Sequence, residues 1–196
     1  MSIYKITESN LPTEYGTFKM HTYASSEKQP MPHIALVHED TDFGESVLLR
    51  IHSECLTGDI FASKRCDCGA QLDTAMQKIG KEKGVLLYLR QEGRGIGLIN
   101  KMKAYNAQDG GLDTHEANVH LGFEPDQRDY QIAMEIMEDL GVKSVRLLTN
   151  NPEKMKLFNE SSITLAERIP LIIHSNEVNK GYLETKSKKF GHLLKP

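Results

Sequence analysis

Cysteine is scarce in this chain, long apolar runs are missing, and charge of neither sign is in large excess. Only three of the 196 residues are cysteines, and all of them fall between residues 55 and 68. An odd number disfavours a complete disulfide framework, and in a reducing compartment the same thiols are free to take a metal. No stretch approaches the length of a bilayer span. The opening MSIYKITESNLPTEYG has no charged start followed by an apolar run, so no signal peptide is expected. Together these absences read as a cytoplasmic protein. A net charge of −3 offers no global basic field for nucleic acid or an anionic membrane. Any bound anion must then be gripped by locally placed Arg and Lys. Internal repeats and low-complexity segments are lacking, and so is a G-x-x-x-x-G-K-[ST] phosphate loop.

What is present is ordinary for a globular chain: 39% hydrophobic and 26% charged residues. The length suffices for one sizeable core or two small lobes. Residues 15–23, 33–39 and 46–53 are β-rich runs separated by turn-forming stretches. From Gly69 the period changes. Leu72, Ala75, Met76 and Ile79 repeat as an amphipathic helix closed by Gly84. Residues 85–90 read as a buried strand, Ile96 to Gln108 as a second helix, and a third helix is expected to start near Asp126. Gly141 is its stop signal. Strand 144–149 follows, then a helix with Pro152 in its first turn and a last extended run, ITLAERIPLII. The fold class is mixed α/β: a β-rich N-terminal part, then alternating helices and strands, in one compact unit over residues 1–196. The polar tail KGYLETKSKKFGHLL reads as helical, and the chain from about residue 175 as flexible.

Cys55, Cys66 and Cys68 form a C-x10-C-x-C pattern. Thiolates are soft ligands that suit zinc. A closed structural site wants a fourth ligand. His52 is the nearest imidazole, but a strand would point it away from Cys55. Three ligands with one open position is the arrangement of a catalytic zinc. Spacing leaves the structural and catalytic readings equally open. Glu54 and Asp67 flank the cysteines, either as proton acceptors or as solvated carboxylates.

RQEGRGIGLINK, residues 90–101, is not the dinucleotide fingerprint, since Leu98 stands where a glycine is required. It still offers a strand, a glycine turn and a helix start that would present N–H groups and Arg to an anion. LLTNNPEK repeats that logic with Lys154 in the first helical turn. In EPDQRDY, Asp126 reads locally as a helix N-cap, and Tyr105 reads as a core aromatic. Taken singly, each of these has a structural explanation.

Taken together, RIHSECLTGDIFASKRCDCGAQL, YLRQEGRGIGLINKMKAY, DQRDY, LLTNNPEK and GYLETKSKKFGHLL resemble GTP cyclohydrolase II in order and spacing, from about Leu11 to the C-terminus. The likeness is to the stand-alone form, with no fused synthase domain. It implies the first step of riboflavin biosynthesis: GTP and water give formate, pyrophosphate and 2,5-diamino-6-ribosylamino-4(3H)-pyrimidinone 5′-phosphate. It implies one zinc on Cys55, Cys66 and Cys68, with a position left for the attacking water, Mg²⁺ on the phosphates, and a homodimer. The GTP site would fall on Arg50, Ile51, His52, Ser53, Glu54, Gln71, Glu92, Gly93, Arg94, Thr114, Thr149 and Lys154. Asp126 corresponds to the proton acceptor, Arg128 to a proposed phosphorus nucleophile, and Tyr105 to a residue tied to ring opening. An arginine nucleophile is chemically hard, because guanidinium stays protonated; a clamp on the phosphoryl group is the alternative role. Two rival readings are a relative that stops at the formylated product and a structural-zinc module binding nucleic acid. Tyr105 argues against the first and the net charge against the second.

Overall fold

A computed structural model describes residues 2–194. Four strands come first: β1 (Tyr4–Thr13), β2 (Gly16–Ala24), β3 (His33–His38) and β4 (Val47–Ser53). Two helices follow, α1 (Leu56–Asp59) and α2 (Cys68–Glu82), then β5 (Val85–Leu89). After a 3₁₀ turn at Glu92–Gly95 come α3 (Gly97–Asp109), α4 (Thr114–His120) and α5 (Gln131–Asp139). The chain ends with β6 (Ser144–Leu148), α6 (Pro152–Lys156), β7 (Thr164–Ile169) and α7 (Lys180–Phe190). All seven strands form one sheet in the order β1-β2-β3-β5-β4-β6-β7. The β1, β2, β3 and β5 pairings are antiparallel, whereas β5-β4-β6-β7 run parallel. Among the described residues no helix is long and apolar enough to cross a membrane.

Strand alternation divides the core and thereby places the site. In β4, Val47, Leu49 and Ile51 enter one cluster with Ala133, Met134, Ile136 and Met137 of α5. Leu48 enters the other, with Ala75, Met76 and Ile79 of α2. The pleat has a period of two, so Arg50 and His52 share the Leu48 face, the α2 side of the sheet. Each is buried there despite its polarity. Leu86 and Tyr88 of β5 and Leu148 of β6 lie on the same face.

The expected strands and the helices α2, α3 and α6 are present within one or two residues, the tail helix covers only Lys180–Phe190, and the run at 163–173 is strand only over Thr164–Ile169. The third helix differs: it starts at Gln131, not near Asp126. Asp126 is no N-cap, because its carboxylate turns onto Arg128 instead. Asp129 supplies the local bond at the true start, accepting from the Gln131 N–H at 2.8 Å. Strand β1 carries no apolar alternation because it is an edge strand, mostly exposed and held by its backbone ladder to β2. Helix α4 is announced by a capping box, Asp113 and Glu116 bonding each other's backbone N–H groups.

Close packing of α2 on the sheet ends at Gly84, where an added Cβ would sit 2.2 Å from the Leu48 carbonyl oxygen. Gly84→Ala must displace backbone in the centre of the sheet. The expected loss is at least about 1–3 kcal/mol, read as a lower urea midpoint at unchanged slope.

Candidate active site

At the carboxyl ends of β4, β5 and β6 one cavity gathers groups from nearly every later element. Such a crevice, where the chain leaves the sheet in opposite directions from neighbouring strands, is where open α/β sheets bind ligands. Here α2 covers one face after β4, and α5 covers the other before β6. Lining residues include Arg50, His52, Ser53, Glu54, Gln71, Glu92, Gly93, Arg94, Tyr105, Thr114, Arg128, Thr149 and Lys154, together with all three cysteines. Two expected site residues stand back from it. Ile51 points its side chain into the opposite core and reaches the site only through its carbonyl, which accepts from Lys154 Nζ at 2.7 Å. Asp126 acts through Arg128.

The cysteine sulfurs lie within 4.8 Å of one another, and Cys55 Sγ is 3.7 Å from Cys66 Sγ, far beyond disulfide length. All three are free. Gly58 makes the room. A Cβ there would come within 2.8 Å of Cys66 Sγ and 3.2 Å of Cys55 Sγ. A Cβ on Gly69 would in turn strike the Gly58 carbonyl oxygen at 2.2 Å. Hydrogen bonds from Cys66 and Cys68 push the Cys55 thiol well down, and the same sharing pushes the other two up. Three convergent soft donors around a space that glycine keeps open fit a thiophilic ion such as zinc. His52 is not among these ligand groups; its Nε2 is engaged by Asp59 at 3.1 Å.

Around the thiols sits a shell that spacing alone did not disclose. Lys101 Nζ donates to Cys55 Sγ at 3.1 Å and to Glu92 Oε1 at 2.7 Å. Glu92 Oε2 accepts from the Leu56 N–H at 2.6 Å. Burial opposes the charge of Lys101, but the Cys55 sulfur and Glu92 hold its pKa above the ordinary lysine value. Tyr105 Oη is 3.4 Å from Thr57 Oγ1, which is 3.6 Å from Cys55 Sγ. Burial chiefly raises the Tyr105 phenol, leaving it a donor at neutral pH. Lys101, Tyr105 and Gln108 share one face of α3 at helical spacing, and that periodicity was a legible signal for Lys101.

The remainder of the wall is cationic. Arg50 donates to the Leu148 carbonyl at 3.0 Å and to Gln71 Oε1 at 2.7 Å, and its Nε has no partner among the described residues. Lys154 is buried with the Ile51 carbonyl as its hydrogen-bond acceptor. Burial, then the neighbouring Arg50 and Arg128 charges, push its pKa well below the lysine value. Neither Arg50 nor Lys154 has a carboxylate partner among the described residues. Arg94 Nη1 is also unpartnered among the described residues. The turn that carries Arg94 is wound through left-handed backbone: Gly93 and Arg94 both have φ of 62°, Gly95 94° and Gly97 80°. Arg94 is the one member of that run with a Cβ, at a cost of about 1–2 kcal/mol. Its carbonyl accepts from the Gln127 N–H at 2.9 Å, tying the turn to the segment that delivers Arg128.

Arg128 Nε donates to Asp126 Oδ1 at 2.8 Å, and Nη2 bonds Oδ2 in a two-pronged pair. Burial works against both charges. The pairing prevails, so Asp126 lies below its ordinary value and Arg128 above its own. From the far side, α7 contributes Tyr182 and Lys186, and His192 follows it into the wall. Lys186 bonds Asp67 Oδ1, Gln71 Nε2 donates to Asp67 Oδ2 at 2.6 Å, and Asn179 Nδ2 donates to the Cys66 carbonyl at 3.3 Å. The tail is thus packed onto the turn that holds two of the thiols.

A profile of the GTP cyclohydrolase II family matches residues 4–170. "GTP cyclohydrolase-2" of Pseudomonas putida (strain W619) is 54% identical over 195 residues, spanning 99% of this chain and 95% of that protein. "Riboflavin biosynthesis protein RibBA" of Chlorobium phaeovibrioides is 54% identical over 193 residues, spanning 98% of this chain. The chain spans 47% of that longer relative. Among solved structures, a two-domain 3,4-dihydroxy-2-butanone 4-phosphate synthase from A. baumannii aligns over 84% of this chain at 19% identity and a TM-score of 0.44, too slight a likeness to bear on either fold or function.

The cradle at Gly58 generates a direct expectation. Gly58→Ala should keep the far-ultraviolet circular dichroism of the parent while weakening metal affinity by about 10–100-fold, measured by competition with a chromophoric chelator. An unchanged affinity would mean that the sulfurs do not enclose the ion.

Proposed function

Because the chain belongs to the GTP cyclohydrolase II family, we propose that it hydrolyses GTP to 2,5-diamino-6-ribosylamino-4(3H)-pyrimidinone 5′-phosphate, formate and pyrophosphate in riboflavin biosynthesis. The observation that carries the reading is one cavity holding both a three-thiol cluster and buried cations that have no carboxylate partner among the described residues. Removing a charge from water costs several kcal/mol unless a counter-charge replaces the lost hydration. A polyphosphate supplies several negative oxygens at once. Arg50, Lys154 and Arg94 then receive the phosphates, and the glycine turn adds backbone N–H groups.

Cys55, Cys66 and Cys68 would hold zinc, which when bound supplies Lewis acidity to the ring-opening half of the reaction. Lys101 balances the negative charge that three thiolates gather. Tyr105, a protonated phenol near the cluster, is placed to give a hydrogen bond, and then a proton, to a nitrogen of the opening ring. Mg²⁺ would travel with the phosphates; among the described residues the cysteines are the one group of three or more candidate ligands. The same reading extends to a homodimer.

Arg128 suits the role of a clamp on the transferring phosphoryl group. The guanidinium of a paired, raised arginine keeps its proton and offers no lone pair for attack. Asp126, its carboxylate engaged by two guanidinium nitrogens, aims the fork. In this reading Asp126 anchors Arg128 first, and takes a proton only once the pair has shifted onto the substrate.

The test is incubation of the full chain with GTP, Mg²⁺ and Zn²⁺, assayed for formate and pyrophosphate. Equimolar release of both is expected, and release of neither overturns the reading. Pyrophosphate with a formylated nucleotide would favour the shorter reaction. Arg128→Lys keeps the charge but loses the planar fork. It should lower pyrophosphate release by roughly 10²–10³-fold without abolishing it. Intact-mass measurement of a single turnover should find no guanylylated chain; an adduct on Arg128 that forms and decays at the turnover rate would establish covalent catalysis instead.

A further inference from the structure

His52 is buried on the cavity wall, and its partner is a residue that no part of the proposed mechanism has used. Asp59 ends the short helix α1, and its side chain is only 2% exposed. His52 Nε2 lies 3.1 Å from Asp59 Oδ1 and 3.2 Å from Oδ2. Asp59 Oδ2 also accepts from the Cys55 N–H at 2.9 Å and from Tyr88 Oη at 2.8 Å. The Tyr88 ring stacks on the imidazole, with centroids 5.5 Å apart and planes 18° from parallel. That stacking follows from register, since His52 and Tyr88 are directly paired across β4 and β5.

A carboxylate can only accept. The hydrogen of a neutral His52 is therefore on Nε2, and Nδ1 is left with its lone pair. Arg50 Nη2, a donor in any state, stands 3.5 Å from Nδ1, which fits the same tautomer. That distance is at the outer edge of a hydrogen bond, and Arg50 Nη2 already donates to Gln71 at 2.7 Å. Nδ1 is thus the polar ring atom available to a ligand.

We infer that Asp59 is a positioning residue: it locks His52 in the Nε2–H tautomer so that Nδ1 accepts a hydrogen bond from an N–H or O–H group of the bound nucleotide. Burial lowers the His52 pKa further than the Asp59 contact raises it, in keeping with a neutral acceptor. Through the Cys55 N–H the same carboxylate joins this imidazole to the thiol cluster, so one side chain sets the relative position of two parts of the site. The identity of the ligand rests on the function proposed above; the tautomer does not.

Asp59→Asn is nearly isosteric and makes the test sharp. Its one oxygen is needed at the Oδ2 position, where Cys55 N–H and Tyr88 Oη both donate. Its NH₂ then occupies the Oδ1 position and faces Nε2, which must become the acceptor, so the hydrogen moves to Nδ1. We expect ¹⁵N NMR of the histidine-labelled full chain, without nucleotide, to find Nε2–H on His52 in the parent and Nδ1–H in the variant. With GTP, kcat/KM should fall by roughly 10–100-fold, the cost of a buried donor left facing another donor, while the thermal midpoint moves by a few degrees at most. Nδ1–H in the parent, an unchanged tautomer in the variant, or an inverted tautomer with kcat/KM unaltered would each overturn the inference. A parent without GTP hydrolysis would defeat the proposed function, and the tautomer measurement would still decide this one. Should Asp59→Asn not fold, His52→Asn, whose amide reaches the Nδ1 position, should retain more kcat/KM than His52→Gln, whose amide reaches Nε2; the reverse order would overturn it.

Discussion

Two buried cations, Arg50 and Lys154, without a carboxylate partner among the described residues govern how this site is built. Arg50 and Lys154 are held instead by main-chain carbonyls, those of Leu148 and Ile51, and by the Gln71 amide. Dipoles of this kind offset part of the desolvation cost but do not neutralise the charge. The surroundings must therefore be rigid, because a small shift would trade a satisfied ammonium for an orphaned one. The supporting carbonyls come from the carboxyl ends of β4 and β6, neighbouring parallel strands inside the sheet. The unmet positive charge is the feature an anionic substrate would complete.

The acidic groups near the cavity are spent where they are needed structurally. Glu92 is shared among Lys101, the Leu56 N–H and its neighbour Gly93. Asp67 is shared between Lys186 and Gln71, and Gln71 passes the contact on to Arg50. A continuous polar network thus runs from α7 through the thiol turn to the centre of the sheet. Networks of this type favour one arrangement, since losing a member leaves a further buried group unpaired. The arrangement also explains why a polar C-terminal segment packs well without an apolar face. Its grip is Lys186 on Asp67, Asn179 on Cys66, Phe190 against the Arg94 guanidinium at 3.9 Å, and the Leu193 N–H on the Asn150 carbonyl.

Some of this was written plainly along the chain. Periodicity located α2, and the apolar runs located the inner strands, because burial on one or both faces imposes a pattern on adjacent residues. The three-thiol cluster was visible because cysteine occurs nowhere else, and Pro152 marked the start of α6. The start of α5 was misplaced at Asp126 because a carboxylate that bonds N–H groups two residues on looks the same before a helix as in an isolated turn. Strand β1 was not legible because a ladder at the sheet edge needs only backbone and leaves its side chains in water.

The sequence by itself determined which chemical groups exist and the order in which they arrive: three soft donors, a glycine turn, and cations beside strand ends. Tertiary structure alone decided which of them meet. Lys101 reaches Cys55 across 46 positions, Lys154 reaches Ile51 across 103, and Lys186 reaches Asp67 across 119. The physical reason is that strand and helix periods constrain neighbours a few residues apart, whereas hydrogen bonds and charge pairing act through space at about 3 Å. No local pattern records a partner that only the folding of the sheet brings within that distance.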